Sequence, residues 1–143
     1  MVVPIYFAPT GIELGTLRLE ASFVSRNLKF VKFTRGSAAE SAETQLTSDA
    51  AEVKDEKGLE HTTLTLTAQA AGGSKAIPGG LLGYLSFKVS DRAGPAIISF
   101  RTTVAATLAD ASNRPQTVEV LTDQVEIIAE GSEPLISCFF FSH

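Results

Sequence analysis

The stretch TLRLEASF, residues 16–23, alternates between polar and apolar side chains without a break. Its apolar members are Leu17, Leu19, Ala21 and Phe23, and its polar members are Thr16, Arg18, Glu20 and Ser22. Successive side chains of a β-strand point to opposite faces, so a period of two directs one set into a core and the other into water. The stretch therefore predicts a half-buried β-strand.

The same period recurs along most of the chain. Further segments that show it are LKFVKF (28–33), TTLTLTAQA (62–70), LLGYLSFKV (81–89), AIISFRTTVAATL (96–108) and TVEVLTDQVEII (117–128). Glycine, proline, asparagine and aspartate separate them, as in AAGGSKAIPGG (70–80), SDRAGPA (90–96) and DASNRP (110–115). Strands with one apolar and one polar face bury the apolar face most simply when two antiparallel sheets stack. We expect an all-β protein in which antiparallel sheets form a sandwich.

One segment departs from this period and predicts a short helix. In SAAESAETQL (37–46), Ser37 and Glu40 have the spacing of a capping box, and Ala39, Ala42 and Leu46 share one side of a helix.

Residues 37–60 contain seven acids and two lysines, a local charge of −5 against −4 for the whole chain. We interpret this segment as a solvated insertion. The alternative is an edge that attracts calcium or steers a partner, although no D-x-D-x-D-G calcium loop occurs.

Length and charge exclude several classes of protein. The 143 residues suffice for one domain with a core, and a net charge of −4 without a basic stripe argues against a nucleic-acid partner. No apolar run reaches 18 residues, so no membrane-spanning helix is predicted. The N-terminal stretch MVVPIYFAPTG has no basic region and contains Pro4 and Pro9, which does not fit a secretory signal.

Groups that could perform catalysis are few. The chain has two histidines, His61 and His143, and one cysteine, Cys138, so neither a catalytic triad nor a zinc site is expected. We predict that the protein is not an enzyme and binds no cofactor, with calcium left open. A carbohydrate-binding module is an alternative, but the chain lacks tryptophan and has only Tyr6 and Tyr84 as tyrosines.

The strand GLLGYLSFKV, residues 80–89, has an unusual second face. Its core face holds Gly83, Leu85, Phe87 and Val89, and Gly83 is expected to leave room for a facing side chain. Strict alternation puts Leu82 and Tyr84 on the outer face, where polar residues are the norm. A partner that buries this apolar and aromatic pair is one explanation, and a covering loop or helix is the other.

The order of these segments resembles that of bacterial cohesin domains, which bind dockerins. The resemblance rests on VVPIYFAPTGIELGTLRLEASFVSRNLKFVKFTRG (2–36), IPGGLLGYLSFKVSDRAGPAIISF (77–100) and ADASNRPQTVEVLTDQVEII (109–128). Two features differ from the family pattern. Phe23-Val24-Ser25 replaces a Tyr-Asp-Pro turn, and the strand that usually comes first is not recognised.

The resemblance implies an all-β sandwich of jelly-roll type. It also implies a protein partner on one sheet face, formed by the alternating strand, the threonine-rich strand, the glycine-led strand and a later strand. The matching outward positions include Ser22, Ser86 and the eight residues predicted to bind the partner, which are Arg18, Glu20, Thr63, Thr65, Thr67, Leu82, Tyr84 and Lys88. It also implies an extracellular, cell-surface or periplasmic location. A dockerin-like protein is the expected partner, with polysaccharide as the alternative.

The final residues, GSEPLISCFFFSH (131–143), form a tail with three consecutive phenylalanines. We divide the chain into a sandwich, residues 1–130, and this tail, and expect the tail to add a strand at a sheet edge. That strand would pair within the chain or between two chains in a dimer. An attachment or recognition tail that uses Cys138 is a second interpretation, and an artefact of cloning or of the reading frame is a third.

Overall fold

The fold is described from a computed structural model of the chain, which describes residues 1–9, 11–71, 76–90, 96–109, 114–122, 124–127 and 139–142. These residues form twelve strands and one helix. The strands are β1 (Val2–Ala8), β2 (Leu14–Val24), β3 (Leu28–Arg35), β4 (Gln45–Lys54), β5 (Glu60–Gln69), β6 (Gly80–Val89), β7 (Ala96–Ser99), β8 (Arg101–Leu108), β9 (Pro115–Gln116), β10 (Glu119–Thr122), β11 (Gln124–Ile127) and β12 (Phe139–Ser142), and the helix is α1 (Ser37–Ser41).

Two five-stranded sheets face each other. The first sheet has the order β10-β12-β1-β6-β3 and the second has the order β4-β5-β2-β8-β9, while β7 and β11 form a separate pair. Every described strand pair is antiparallel except β1 with β12, which is parallel. The predicted all-β sandwich with one short helix is confirmed.

The core lies between the two sheets and follows the predicted period. The buried residues of β2 include Leu17, Leu19, Ala21 and Phe23, and those of β5 include Leu64, Leu66 and Ala68. Val3, Ile5 and Phe7 of β1 and Leu85 and Phe87 of β6 meet them from the first sheet. Burial of alternate side chains on both sheets is the arrangement that stabilises a sandwich through the hydrophobic effect.

Phenylalanines join the sheets at one end of the core. The ring of Phe23 on β2 contacts the ring of Phe87 on β6 edge to face, with centroids 5.6 Å apart. Phe100 contacts both rings, at 4.8 Å from Phe23 and 6.1 Å from Phe87. Such pairs stabilise a core beyond the area that they bury, so this cluster fixes how the two sheets are aligned.

The helix is shorter than predicted. It spans Ser37–Ser41, its N-cap is Gly36 without a side-chain capping hydrogen bond, and Leu46 belongs to β4. Ala39 is the buried residue of the helix, which contacts β6. The prediction of a helix to residue 46 with a capping box is wrong, because Glu43 adopts positive φ and the chain turns into β4.

Part of the tail is a strand of the first sheet. Phe139–Ser142 pairs with β1 on one side and with β10 on the other, an interior position where an edge position is predicted. The division between residues 130 and 131 stays a prediction. Cys138, His143 and parts of three predicted turns, at 72–75, 91–95 and 110–113, lie outside the described residues.

Candidate functional site

The predicted partner-binding residues lie on two different sheets. Arg18 and Glu20 are on β2, and the three threonines, Thr63, Thr65 and Thr67, are on β5, both in the second sheet. The other three, Leu82, Tyr84 and Lys88, are on β6 in the first sheet. Because the two sheets stack, their outer faces point in opposite directions. The prediction that one sheet face carries all eight residues is therefore wrong.

Leu82 is not on an outer face. Only 3 % of its surface is exposed, and it lines a small, partly open apolar pocket of about 30 Å³ with Ile5 and Leu17. The cause is a β-bulge. Ile5 pairs with Gly83 whereas the next residue, Tyr6, pairs with Leu81, so Leu82 has no partner on β1 and points inward like Gly83. The predicted outer-face position of Leu82 is corrected accordingly.

The outer surface of β4, β5, β2 and β8, here called the broad face, consists of aligned cross-strand rows. Its middle row is Asp49, Thr65, Glu20 and Thr103, and its neighbouring rows are Thr47, Thr67, Arg18 and Ala105, and Ala51, Thr63, Ser22 and Arg101. Val53, His61 and Val24 continue the pattern at one end. The broad face therefore joins the five predicted residues of the second sheet to β4 and β8.

Small side chains and mixed charges characterise the broad face. The guanidinium of Arg18 lies 3.8 Å from the carboxylate of Glu20, and both side chains are about half exposed. Thr63, Thr65 and Thr67 are partly exposed between them and β4. An exposed ion pair of this kind adds little stability, so both groups remain able to pair with a partner.

The turn between β4 and β5 ends the broad face with a hydrogen-bonded aspartate. Asp55 Oδ1 accepts the N–H groups of Lys57 and Leu59, both at 2.9 Å, and its Oδ2 lies 3.1 Å from Nε2 of His61. The Leu59 N–H above all, and then the His61 side chain, lower the pKa of the Asp55 carboxyl. Asp55 thereby connects the turn to His61 at the end of the broad face.

Tyr84 and Lys88 belong to the opposite surface of the sandwich. Tyr84 is half-buried and pairs with Pro4 of β1 and Thr34 of β3. Lys88 is exposed directly opposite Lys29. The ladders of this sheet shift register in β1–β6 and again in β3–β6, so its outer surface is interrupted.

Sequence reasoning missed the contribution of β4 to the broad face. Asp49 belongs to the acidic segment that was interpreted as a solvated insertion, and its neighbours Ser48 and Ala50 are not apolar enough to produce a strand-like alternation. For β8 the signal was present, because the period of residues 96–108 already puts Thr103 and Ala105 on the same side.

Within the described ranges, no group of three or more His, Cys, Asp or Glu side chains is arranged to hold a metal ion. The same residues contain no helix of the length and hydropathy needed to cross a bilayer. The expectation that no cofactor is bound stays a prediction.

The sandwich has the fold of a cohesin domain, as comparison with solved structures shows. A type I cohesin of OlpA from Clostridium thermocellum, solved with a dockerin, is similar with a TM-score of 0.55 and 10% identity over 100% of this chain and 98% of that chain. The sixth cohesin of scaffoldin B from Acetivibrio cellulolyticus, solved with a Cel5 dockerin, is similar with a TM-score of 0.51 and 10% identity over 99% of this chain and 97% of that chain. The third cohesin of ScaC from the same organism, solved with the ScaB dockerin, has a TM-score of 0.50 and 13% identity over 100% of this chain and 98% of that chain.

The sequence itself matches no protein-family model and no curated protein. The predicted resemblance to cohesins is thus confirmed for the fold, which the chain adopts with a strongly divergent sequence.

Proposed function

We propose that this protein is a non-catalytic, cohesin-like binding module that engages a dockerin-type or other protein partner through the broad face. The observation that carries the proposal is the continuity of that surface. The ladder of β4 with β5 runs through ten pairs and that of β2 with β5 through nine, both without a register shift. The ladder of β2 with β8 shifts register only between Leu14 and Thr16, outside the rows of the broad face. An unbroken ladder gives a regular surface on which a partner can lie.

The dimensions of the broad face suit a protein partner. Four strands spaced by about 4.8 Å, each with about nine residues, span about 20 Å by about 30 Å, or about 600 Å². Stable protein interfaces bury about 800 Å² on each partner, so the broad face with its rim is close to the required size. Hydroxyl groups, charges and exposed valines, such as Val53 at 59 % exposure, supply both polar and apolar contacts.

Similar folds support the choice of partner. The cohesins compared above were solved in complex with dockerins, so a dockerin is the first protein to test. The location that we propose is extracellular, cell-surface or periplasmic.

The alternative, a carbohydrate-binding module, is less well supported. Sugar rings stack on exposed aromatic side chains, and the two tyrosines, Tyr6 and Tyr84, lie away from the broad face on β1 and β6.

Titration calorimetry with an isolated type I dockerin tests the proposal. Thr65→Arg puts a long side chain in the middle row, and the monomer accommodates the charge because Asp49 and Glu20 flank it. We expect this variant to bind at least about tenfold more weakly. Tyr84→Arg on the opposite surface is the matched control and should bind like the parent protein. A loss of dockerin affinity in Tyr84→Arg alone would contradict the choice of face. If the parent protein bound no type I dockerin, the proposed partner class would be contradicted.

A further inference from the structure

Strand β4 is a long, regular strand at the end of its sheet. One side pairs with β5 over ten consecutive residues, and no strand among the described residues pairs with the other side. The strand contains no proline, glycine or bulge, and every residue except Leu46 is exposed. The unpaired N–H and C=O groups of such an edge form a template for another strand.

On one side the other sheet ends in a strand, β3, that is protected against such pairing. On its edge strand β3, the ladder shifts register between Phe30 and Lys32, and Lys29, Lys32 and Arg35 add positive charge. A bulge and a series of lysines are the usual means by which an edge is kept free. At the far end of the second sheet, β9 covers part of β8 at Ala106 and Thr107. Of β3, β9 and β4, the last is therefore the edge with a long ladder free of register shifts, and its charges, Asp49, Glu52 and Lys54, are of mixed sign.

The sequence of β4 allows the strand to pair with a second copy of itself without facing charges. Two copies related by a two-fold axis pair antiparallel, and residues on the same face must lie opposite each other. A register centred on Asp49 would put two carboxylates face to face. Several other registers put no two charges of β4 opposite each other, and of these the one centred on Ala50 pairs the most residues, 46–54, and puts every charge opposite a neutral residue. In it Asp49 faces Ala51, Glu52 faces Ser48, Lys54 faces Leu46 and Val53 faces Thr47 of the second copy.

We propose that β4 is the interface of a symmetric dimer in which the β4 strands of two copies pair antiparallel about Ala50. Nine paired residues form about eight to ten backbone hydrogen bonds, as many as a typical protein interface contains. The two second sheets then become one continuous sheet, and the two broad faces lie side by side on one surface. A partner protein that carries two binding segments in tandem would then contact both broad faces of the dimer at once.

Sedimentation velocity of the intact chain over about 5 to 500 µM tests for the dimer, whose fraction should increase with concentration. A monomer at every concentration would overturn the proposal.

Two substitutions at one exposed position test the register. In each dimer, Ser48 of either copy faces Glu52 of the other, so a charge at position 48 acts twice. Ser48→Glu should raise the dissociation constant of the dimer about threefold or more, and Ser48→Lys should lower it by a similar factor. Because Ser48 is exposed in the monomer, neither variant should change the melting temperature of dilute protein by more than a few degrees. Equal effects of the two charges on dimerisation would contradict the register.

Disulfide trapping gives an independent measurement. In a Cys138→Ser background, Ala50→Cys meets its own copy across the axis, at a Cα separation of about 4.5–5.5 Å that suits a disulfide. Asp49→Cys is the matched control, because its copy lies diagonally at about 7–8 Å. Oxidation should give a covalent dimer of the first variant and a monomer of the second. Cross-linking of both to the same extent, or of neither, would contradict the arrangement.

Discussion

The ring of Phe33 on β3 occupies the space in which a Cβ atom on Gly83 of β6 would lie. The expected role of Gly83, to leave room for a facing side chain, is thereby confirmed. Gly83→Ala forces the ring to move, and we expect it to destabilise the protein by about 1–3 kcal/mol in denaturant unfolding. In a double-mutant cycle, Phe33→Leu should recover part of that loss, whereas strict additivity of the two changes would contradict the overlap.

A buried hydroxyl without a partner weakens the core side of β5. Thr62 is 2 % exposed, and its Oγ1 has no hydrogen-bond partner among the described residues. Replacement by valine keeps the shape and removes the unpaired polar group, so Thr62→Val should raise the free energy of unfolding by about 1 kcal/mol. Thr63→Val on the broad face is the control, with an expected change within about 0.5 kcal/mol. A less stable Thr62→Val protein would show that the hydroxyl is satisfied.

The turn between β4 and β5 should depend on pH through Asp55. Its folded-state pKa is lowered, so its contribution to stability is complete above the ordinary value of about 3.9 and is lost as the pH falls through the lower folded-state value. In a carbon-detected NMR titration, the Asp55 carboxyl should titrate below about 3.9, and the Leu59 amide should shift with the same midpoint. In Asp55→Asn this transition of Leu59 should disappear. If the pH-dependent shift of the Leu59 amide persisted in Asp55→Asn, it would have to arise from another titrating group.

Two lysines face each other on the first sheet and should repel. Lys29 and Lys88 are direct cross-strand partners on β3 and β6, and both are exposed. Lys88→Glu replaces the repulsion with attraction and should stabilise the protein by about 0.2–1 kcal/mol, with a smaller gain at high salt. Lys88→Gln should give a free energy of unfolding between those of the parent protein and Lys88→Glu. A gain that does not depend on salt would argue against an electrostatic origin.

The sequence predicts which side of a strand is buried better than it predicts the sheet to which the strand belongs. The period of two placed Leu19 and Leu66 in the core correctly, because burial alternates with the pleat. The same period cannot tell whether β6 lies beside β2 or opposite it, since that depends on pairing between distant residues. The single face predicted for Tyr84 and Thr65 rests on the resemblance to cohesins alone, and the two residues lie on opposite surfaces.

Local irregularities explain the remaining differences between the predicted and the observed structure. A bulge inserts one residue into β6 and turns Leu82 inward. The isolated Gly83 is a local sign of a bulge, but it does not show which neighbouring residue turns inward. The helix prediction failed at its C-terminal end, where Leu46 has helical spacing to Ala42 but is paired in β4 with Ala68. In both cases tertiary pairing decided the outcome over the local pattern.

The parallel pairing of β1 with β12 has a consequence for how the chain folds. Ile5 lies beside Phe139, so this contact closes a loop of about 130 residues, the kind of non-local pairing that slows folding. During synthesis, β1 leaves the ribosome long before its neighbour, and one of its edges stays unpaired until residues 139–142 emerge. In that interval the exposed backbone of VVPIYFA is open to pairing with other nascent chains, so a chaperone that shields it would improve the yield of native protein.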